Sequence, residues 1–354
     1  MDGELIHSLV GHEGGIWAID TFQDILVSGS TDRTVRIWDL SNGRCLHVFA
    51  GHTGTVRVLS IVKPELVQIK QDDTVTQERW PKRPLIVTGS RDHSLRVWTL
   101  PRPGETEFKS RQVNENSSID DTGENPYHKL HLEGHELAVR ALAGRGRIAV
   151  SGSYDFTVGV WDIITGVCKW VLTGHTSKVY DVVLDVDRDQ VYSGSMDGTI
   201  RIWDIQTGGC RHILTGHTSL VCLLRLSPSY LVSGSADAIL CVWHPTSGEL
   251  HYKLAGHNGA ITSFYHDERK VVSGADGTIK LWDIQDGKLF KDIQTGGAGV
   301  WQIACSGRSC VAAVNRGNHT FIDVWDFGDD DGHEAEIYSE GPFVDEEEPF
   351  VKGL

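Results

Sequence analysis

Histidine, serine or threonine, aspartate and tryptophan recur in the same order along the 354-residue chain. His12, Ser28, Asp32 and Trp38 form one set, His175, Ser193, Asp197 and Trp203 another, and four more sets follow the same pattern. A hydroxyl, an imidazole and a carboxylate brought together can carry out nucleophilic acyl transfer. A reacting site is needed once, however, whereas this combination occurs six times at repeat spacing. Buried polar groups need partners, and a His–Asp–Ser–Trp chain supplies its own. These residues are therefore read as structural. No glycine-rich phosphate loop or metal-ligand cluster stands out, and six of the 17 histidines belong to the repeat itself. The chain is expected to be no enzyme, with no catalytic residue, metal or cofactor.

The spacing points to the elements that hold these sets. Gly-His pairs stand at Gly11-His12, Gly51-His52, Gly134-His135, Gly174-His175, Gly216-His217 and Gly256-His257. Matching units end at Trp38, Trp98, Trp161, Trp203, Trp243 and Trp282, and a degenerate seventh carries Gly296-Gly297 and Trp325. Most steps are 39 to 43 residues. Self-similarity at this period, opened by Gly-His and closed by Trp-Asp, is the WD-repeat signature of a β-propeller. The predicted fold is all-β, a WD-repeat β-propeller over residues 1–327 with seven repeat units of four short strands. Glu4–Val10 is expected to complete the last blade beside Phe321–Phe327 and so close the ring. Two polar insertions, near 62–82 and 101–125, read as flexible loops on the end of the propeller opposite the Gly-His loops.

Composition narrows the function classes. No apolar run approaches the ~20 residues of a membrane span, and seven scattered cysteines fit reduced thiols in the nucleus or cytoplasm. A net charge of −15 argues against binding to nucleic acid or anionic membrane. Residues 328–354 hold ten carboxylates and one lysine, and read as an acidic, disordered C-terminal tail.

If the skeleton is scaffold, function lies where the copies differ at exposed positions. Five residues after each Gly-His histidine stand Trp17, Arg57, Arg140, Tyr180, Cys222 and Thr262. Just before the turn aspartate stand Thr31, Arg91, Tyr154, Met196 and Ala236. Arg33 follows Asp32, and Thr55 lies two residues before Arg57. Arg57, Arg91 and Arg140 thus occupy consecutive slots of one rim, framed by Trp17, Tyr154 and Tyr180. Clustered guanidinium forks suit a dianionic phosphate, bonding two oxygens at once. An arginine cluster reading a phosphorylated peptide is a known recognition mode.

The run "GHEGGIWAID…VSGSTDRTVRIWD…GHTGTVRVLS…TGSRDHSLRVW…GHELAVRALA…VSGSYDFTVGVWD…GHTSKVYDVV" closely resembles the WD-repeat domain of the cell-division-control type F-box proteins. These are substrate receptors of SCF ubiquitin ligases, and the resemblance covers residues 4–327. It implies that Arg57, Arg91 and Arg140 hold the phosphothreonine of a phospho-degron. It further implies that Trp17, Thr31, Arg33, Thr55, Tyr154 and Tyr180 line the rest of the pocket, including the site for the following proline. Family members also carry an F-box that docks the ligase adaptor and cullin, and usually eight blades. This chain starts inside what resembles the end of the first blade, so ligase function is expected to need an F-box supplied from outside it. The competing reading is a WD-repeat scaffold that assembles another multiprotein complex through its side or bottom insertions.

Overall fold

The computed structural model describes residues 5–71, 74–110, 123–317, 319–327 and 337–339. They form seven four-stranded antiparallel sheets, the blades of an all-β propeller, and one separate two-stranded hairpin. The fourth blade is representative: Val179–Asp185, Gln190–Ser195, Thr199–Asp204 and Cys210–Thr215 pair in chain order. Its second strand is buried at every position, whereas its fourth is exposed at all but Leu214. Middle strands covered on both faces explain the continuous β-branched and small residues of the second strands. The outer strands, wetted on one side, tolerate Arg211 and His212.

The chain packs as two compact units. One comprises residues 4–215 and 220–224 and contains the first four blades. The other comprises residues 216–219 and 225 onward, and holds the rest of the fifth blade with the sixth and seventh. Within the first unit, each blade buries an apolar layer against the next. Val27, Ile37 and Phe49 pack with Ile86 and Trp98, and Val150 and Val160 pack with Val191 and Trp203. The glycine of each Ser-Gly-Ser or Thr-Gly-Ser makes this contact possible. A Cβ on Gly89 would stand 2.7 Å from Val139 Cγ1 of the next blade, and one on Gly152 would stand 2.6 Å from Val179 Cγ1.

Three expectations are revised. The outer strand of the seventh blade is Ile337–Ser339, paired with Asp323–Trp325, and not Glu4–Val10. Residues 5–10 form no strand; His7 instead lies against Gly43 and bonds the Ser41 carbonyl. A strand twelve residues downstream closes a far shorter loop than one from the N-terminus, which lowers its entropic cost. Ile337–Ser339 therefore belongs to the last blade, and the rest of the acidic segment lies outside the described residues.

The first insertion is also not a plain loop. Glu65–Gln71 and Thr74–Trp80 form an antiparallel hairpin, rooted where Glu65 bonds Arg145 at 3.1 Å and Arg147 stacks over Trp80 at 5.5 Å. In the second insertion, Phe108–Ser110 lies along the outer strand of the first blade, Arg44–Phe49, with backbone bonds on both sides of Val48. It covers an edge that would otherwise be open. Residues 111–122 of that insertion lie outside the described residues.

Candidate functional site

The recurring polar sets are closed networks. In the fourth blade, Trp203 Nε1 donates to Ser193 Oγ at 2.8 Å, His175 Nε2 meets that hydroxyl at 2.8 Å, and His175 Nδ1 meets Asp197 at 2.8 Å. The first, second, third and fifth blades repeat this arrangement around Ser28, Thr88, Ser151 and Ser233. The carboxylate fixes the proton on Nδ1, so the hydroxyl donates to Nε2 and accepts from the indole. Ser193 is wholly buried, and so are Thr88, Ser151 and Ser233. A nucleophile needs an approach path, and these buried hydroxyls have none.

Electrostatics fit a structural role. Burial pushes His175 below the ordinary imidazole range, only partly offset by Asp197. Burial would raise Asp197, but bonds from Thr199, the Thr176 amide and His175 outweigh it and hold the carboxyl at about 2. The sixth blade, one residue short at its turn, bonds His257 Nδ1 to Thr278 Oγ1 at 2.9 Å instead of to an aspartate. Without that carboxylate, burial and Lys280 depress His257 to about 4. In the seventh blade Gly296-Gly297 supply no imidazole, and the buried Trp325 Nε1 has no partner among the described residues.

Two backbone devices build the rim in the first four blades. On each innermost strand the pairing skips one residue. Ile16 faces Ser30 and Ala18 faces Gly29; Val56 faces Ser90 and Val58 faces Gly89. The same step separates Val139 from Ala141 and Val179 from Asp181. The skipped residues are Trp17, Arg57, Arg140 and Tyr180. A bulged residue loses its cross-strand partner and its side chain is re-aimed. The second device is a backbone bond from the residue before the turn aspartate to the carbonyl two residues ahead of the bulge. Thr31 bonds Gly15 at 2.9 Å, Arg91 bonds Thr55 at 2.9 Å, Tyr154 bonds Ala138 at 3.0 Å and Met196 bonds Lys178 at 2.8 Å. Each blade therefore presents its variable residues side by side.

Neighbouring blades join these pairs into one run. Trp17 Nε1 donates to Thr31 Oγ1 at 2.9 Å, and Arg57 Cζ lies 5.0 Å from the Trp17 ring and 5.8 Å from that of Tyr154. Tyr154 and Tyr180 sit 5.5 Å apart between centroids, and Arg140 Cζ lies 5.6 Å from Tyr180. Burial raises the Tyr180 phenol above its usual range, helped by its bond to Tyr154 and opposed by Arg140 and Arg57. Arg91 is exposed and is tied in through its backbone to the half-buried Thr55. Arg33 is exposed at the left-handed turn position, φ 70°, and its guanidinium contacts none of the other eight among the described residues. Arg57, Arg91 and Arg140 have no carboxylate within ion-pair distance among the described residues. By contrast, Arg316 of the last blade is paired with the buried Asp323. One neighbour escaped the sequence reading: Lys178, whose Nζ is 4.8 Å from the Tyr154 centroid. Its signal was its place, in the same slot as Thr55.

The WD domain, G-beta repeat family matches residues 3–39, 43–99, 126–162, 166–204, 208–244 and 248–283. The chain belongs to that family. Among relatives, this WD-repeat chain is similar to WD repeat-containing protein pop1 of Schizosaccharomyces pombe, 47% identical over 335 residues that cover 92% of the chain and 43% of pop1. Cell division control protein 4 of Candida albicans is 42% identical, over 92% of the chain and 47% of the relative. That of Saccharomyces cerevisiae is 38% identical, over 90% of the chain and 42% of the relative. The WD-repeat chain thus spans less than half the length of these relatives. The crystal structure of the computationally designed Ika8 protein superposes with a TM-score of 0.72 at 31% identity, over 92% of this chain and 87% of that one. Among the described residues no helix is long and apolar enough to cross a membrane, and no group of three or more His, Cys, Asp or Glu is placed to hold a metal.

Proposed function

We propose that the rim around Arg57, Arg91 and Arg140 binds a phosphorylated peptide segment, a phosphothreonine-proline degron, and that the domain selects substrates for an SCF-type ubiquitin ligase. The observation that carries this reading is three arginines without acidic partners among the described residues, of which Arg57 and Arg140 lie against the rings of Trp17, Tyr154 and Tyr180 and Arg91 is bonded through its backbone to Thr55. Unneutralised arginines on a chain of net charge −15 are poised for an anion supplied from outside. Thr31, Arg33 and Thr55 extend the surface, and Trp17, 57% exposed, offers an apolar wall to the proline. Similarity to cell division control protein 4 supports the same reading. Adaptor and cullin would be recruited by an F-box outside this chain, and ubiquitination would send the substrate to the proteasome in the nucleus or cytoplasm. The domain itself contributes binding and no bond-making step.

A peptide titration tests the proposal. Charge-assisted hydrogen bonds contribute about 1.5–3 kcal/mol each, so Arg57→Ala or Arg91→Ala weakens binding roughly 10- to 150-fold. Parent-like affinity in both variants would overturn it.

A further inference from the structure

The seventh blade lacks the polar frame of the first five. Gly296-Gly297 replace the Gly-His pair, and Ala312 stands where the fourth blade places Ser193, two residues past the partner of the tryptophan. That partner is Cys310, which faces Trp325 on one side and Cys305 on the other. The equivalent cross-strand places hold Thr21 and Leu26 in the first blade, and Leu184 and Val191 in the fourth.

The geometry suits a bond between the two sulfurs. Their strands, Gly299–Ser306 and Ser309–Arg316, join through the two-residue turn Gly307-Arg308, closed by Ser306 opposite Ser309. The residues closing such a turn form a hydrogen-bonded pair, so the next pair, Cys305 with Cys310, is a non-hydrogen-bonded one. Cα atoms in such a pair lie about 4.5 Å apart, inside the roughly 4.4–6.8 Å that a disulfide spans. Directly opposed side chains share one face, and the two thiols stand within hydrogen-bond reach of each other. Cys310 is fully buried in the apolar cluster of the blade, whereas Cys305 at its border is half-buried and open to a reagent.

We infer that Cys305 and Cys310 form a reversible redox site, closed by a small-molecule disulfide such as oxidised glutathione. Cys305 loses its proton and attacks the glutathione disulfide, releasing one glutathione as the thiol. Cys310 then loses its proton and attacks the Cys305 sulfur of the mixed disulfide, releasing the second. One glutathione disulfide is reduced to two thiols while two protein thiols are oxidised to one disulfide. Excess thiol reverses the exchange, so the pair rests reduced in a reducing compartment. When closed, the bond fastens the first two strands of the blade that has no polar frame. This site is independent of the phosphopeptide reading.

The test incubates the full chain with oxidised glutathione, quenches it in acid and alkylates the remaining thiols under denaturing conditions. Trypsin cuts after Lys291, Arg308 and Arg316, so the bond joins peptide 292–308 to peptide 309–316. Two of the seven thiols should escape alkylation, the joined peptides should appear, and dithiothreitol should separate them. In Cys310→Ala the reaction should stop at Cys305 with one glutathione attached. The oxidised parent should melt about 4 °C above the reduced chain, a shift that Cys305→Ser should abolish. Absence of the joined peptides from the oxidised parent, or either cysteine joined to a different one, overturns the inference. An oxidised parent that melts no higher than the reduced chain overturns the fastening of the blade.

Discussion

Ser193→Ala removes one oxygen from the centre of the fourth blade and tests the structural reading of the polar sets. Ser193 is fully buried, accepts from Trp203 Nε1 at 2.8 Å and contacts His175 Nε2 at 2.8 Å. Alanine fills nearly the same volume but leaves the indole N–H and the imidazole lone pair without partners. An orphaned buried polar group costs about 1–3 kcal/mol, so orphaning two costs about 2–6 kcal/mol. Urea unfolding followed by tryptophan fluorescence should show the midpoint fall with no change of slope. Trp203 is itself a reporter beside the lesion. A stability within 0.5 kcal/mol of the parent would refute the account of these sets as frame. The same change should leave phosphopeptide affinity within two-fold, because Ser193 does not reach the rim.

Further outcomes follow from packing and charge. Gly89→Ala forces a methyl to within 2.7 Å of Val139 and Val58, and should cost about 1–3 kcal/mol by thermal unfolding. His257, neutral in the fold with its pKa depressed to about 4, takes up a proton more readily when unfolded. Its contribution is complete above pH ~6.5 and lost as pH falls towards 4, by about 3 kcal/mol in all. His257→Gln should flatten that part of the stability profile, and an unchanged slope would contradict the assignment. Replacing residues 66–79 by a short turn removes the hairpin and should leave peptide affinity unchanged. Loss of a protein partner on that deletion, with rim variants silent, would instead favour the scaffold reading.

Much of the fold was legible because the repeat states each blade's frame separately. Gly-His, Ser-Gly-Ser and Trp-Asp mark loop, second strand and third strand, and those marks correspond to residues now seen in contact. The bulge was not legible, since one skipped partner leaves no pattern in a single chain. Counting five residues past the histidine nevertheless reached Trp17, Arg57, Arg140 and Tyr180, because the loop has a constant length. Lys178 stands in the same slot as Thr55, two residues ahead of the bulge, so the same count reaches it. The hairpin at Glu65–Trp80 had a signal, an alternating "LVQIK" and "TVTQERW" around Asp72-Asp73, outweighed by its polarity. Ile337–Ser339 had almost none, because three residues in an acidic stretch show no period and only the open edge at Asp323–Trp325 recruits them.

The most direct measurement of the central claim is calorimetric titration of the parent chain with one threonine-proline peptide, phosphorylated and unphosphorylated, at matched ionic strength. Two or more charge-assisted bonds to the phosphate predict a phosphorylated peptide bound at least about 100-fold tighter. Equal affinity for the two forms would contradict it.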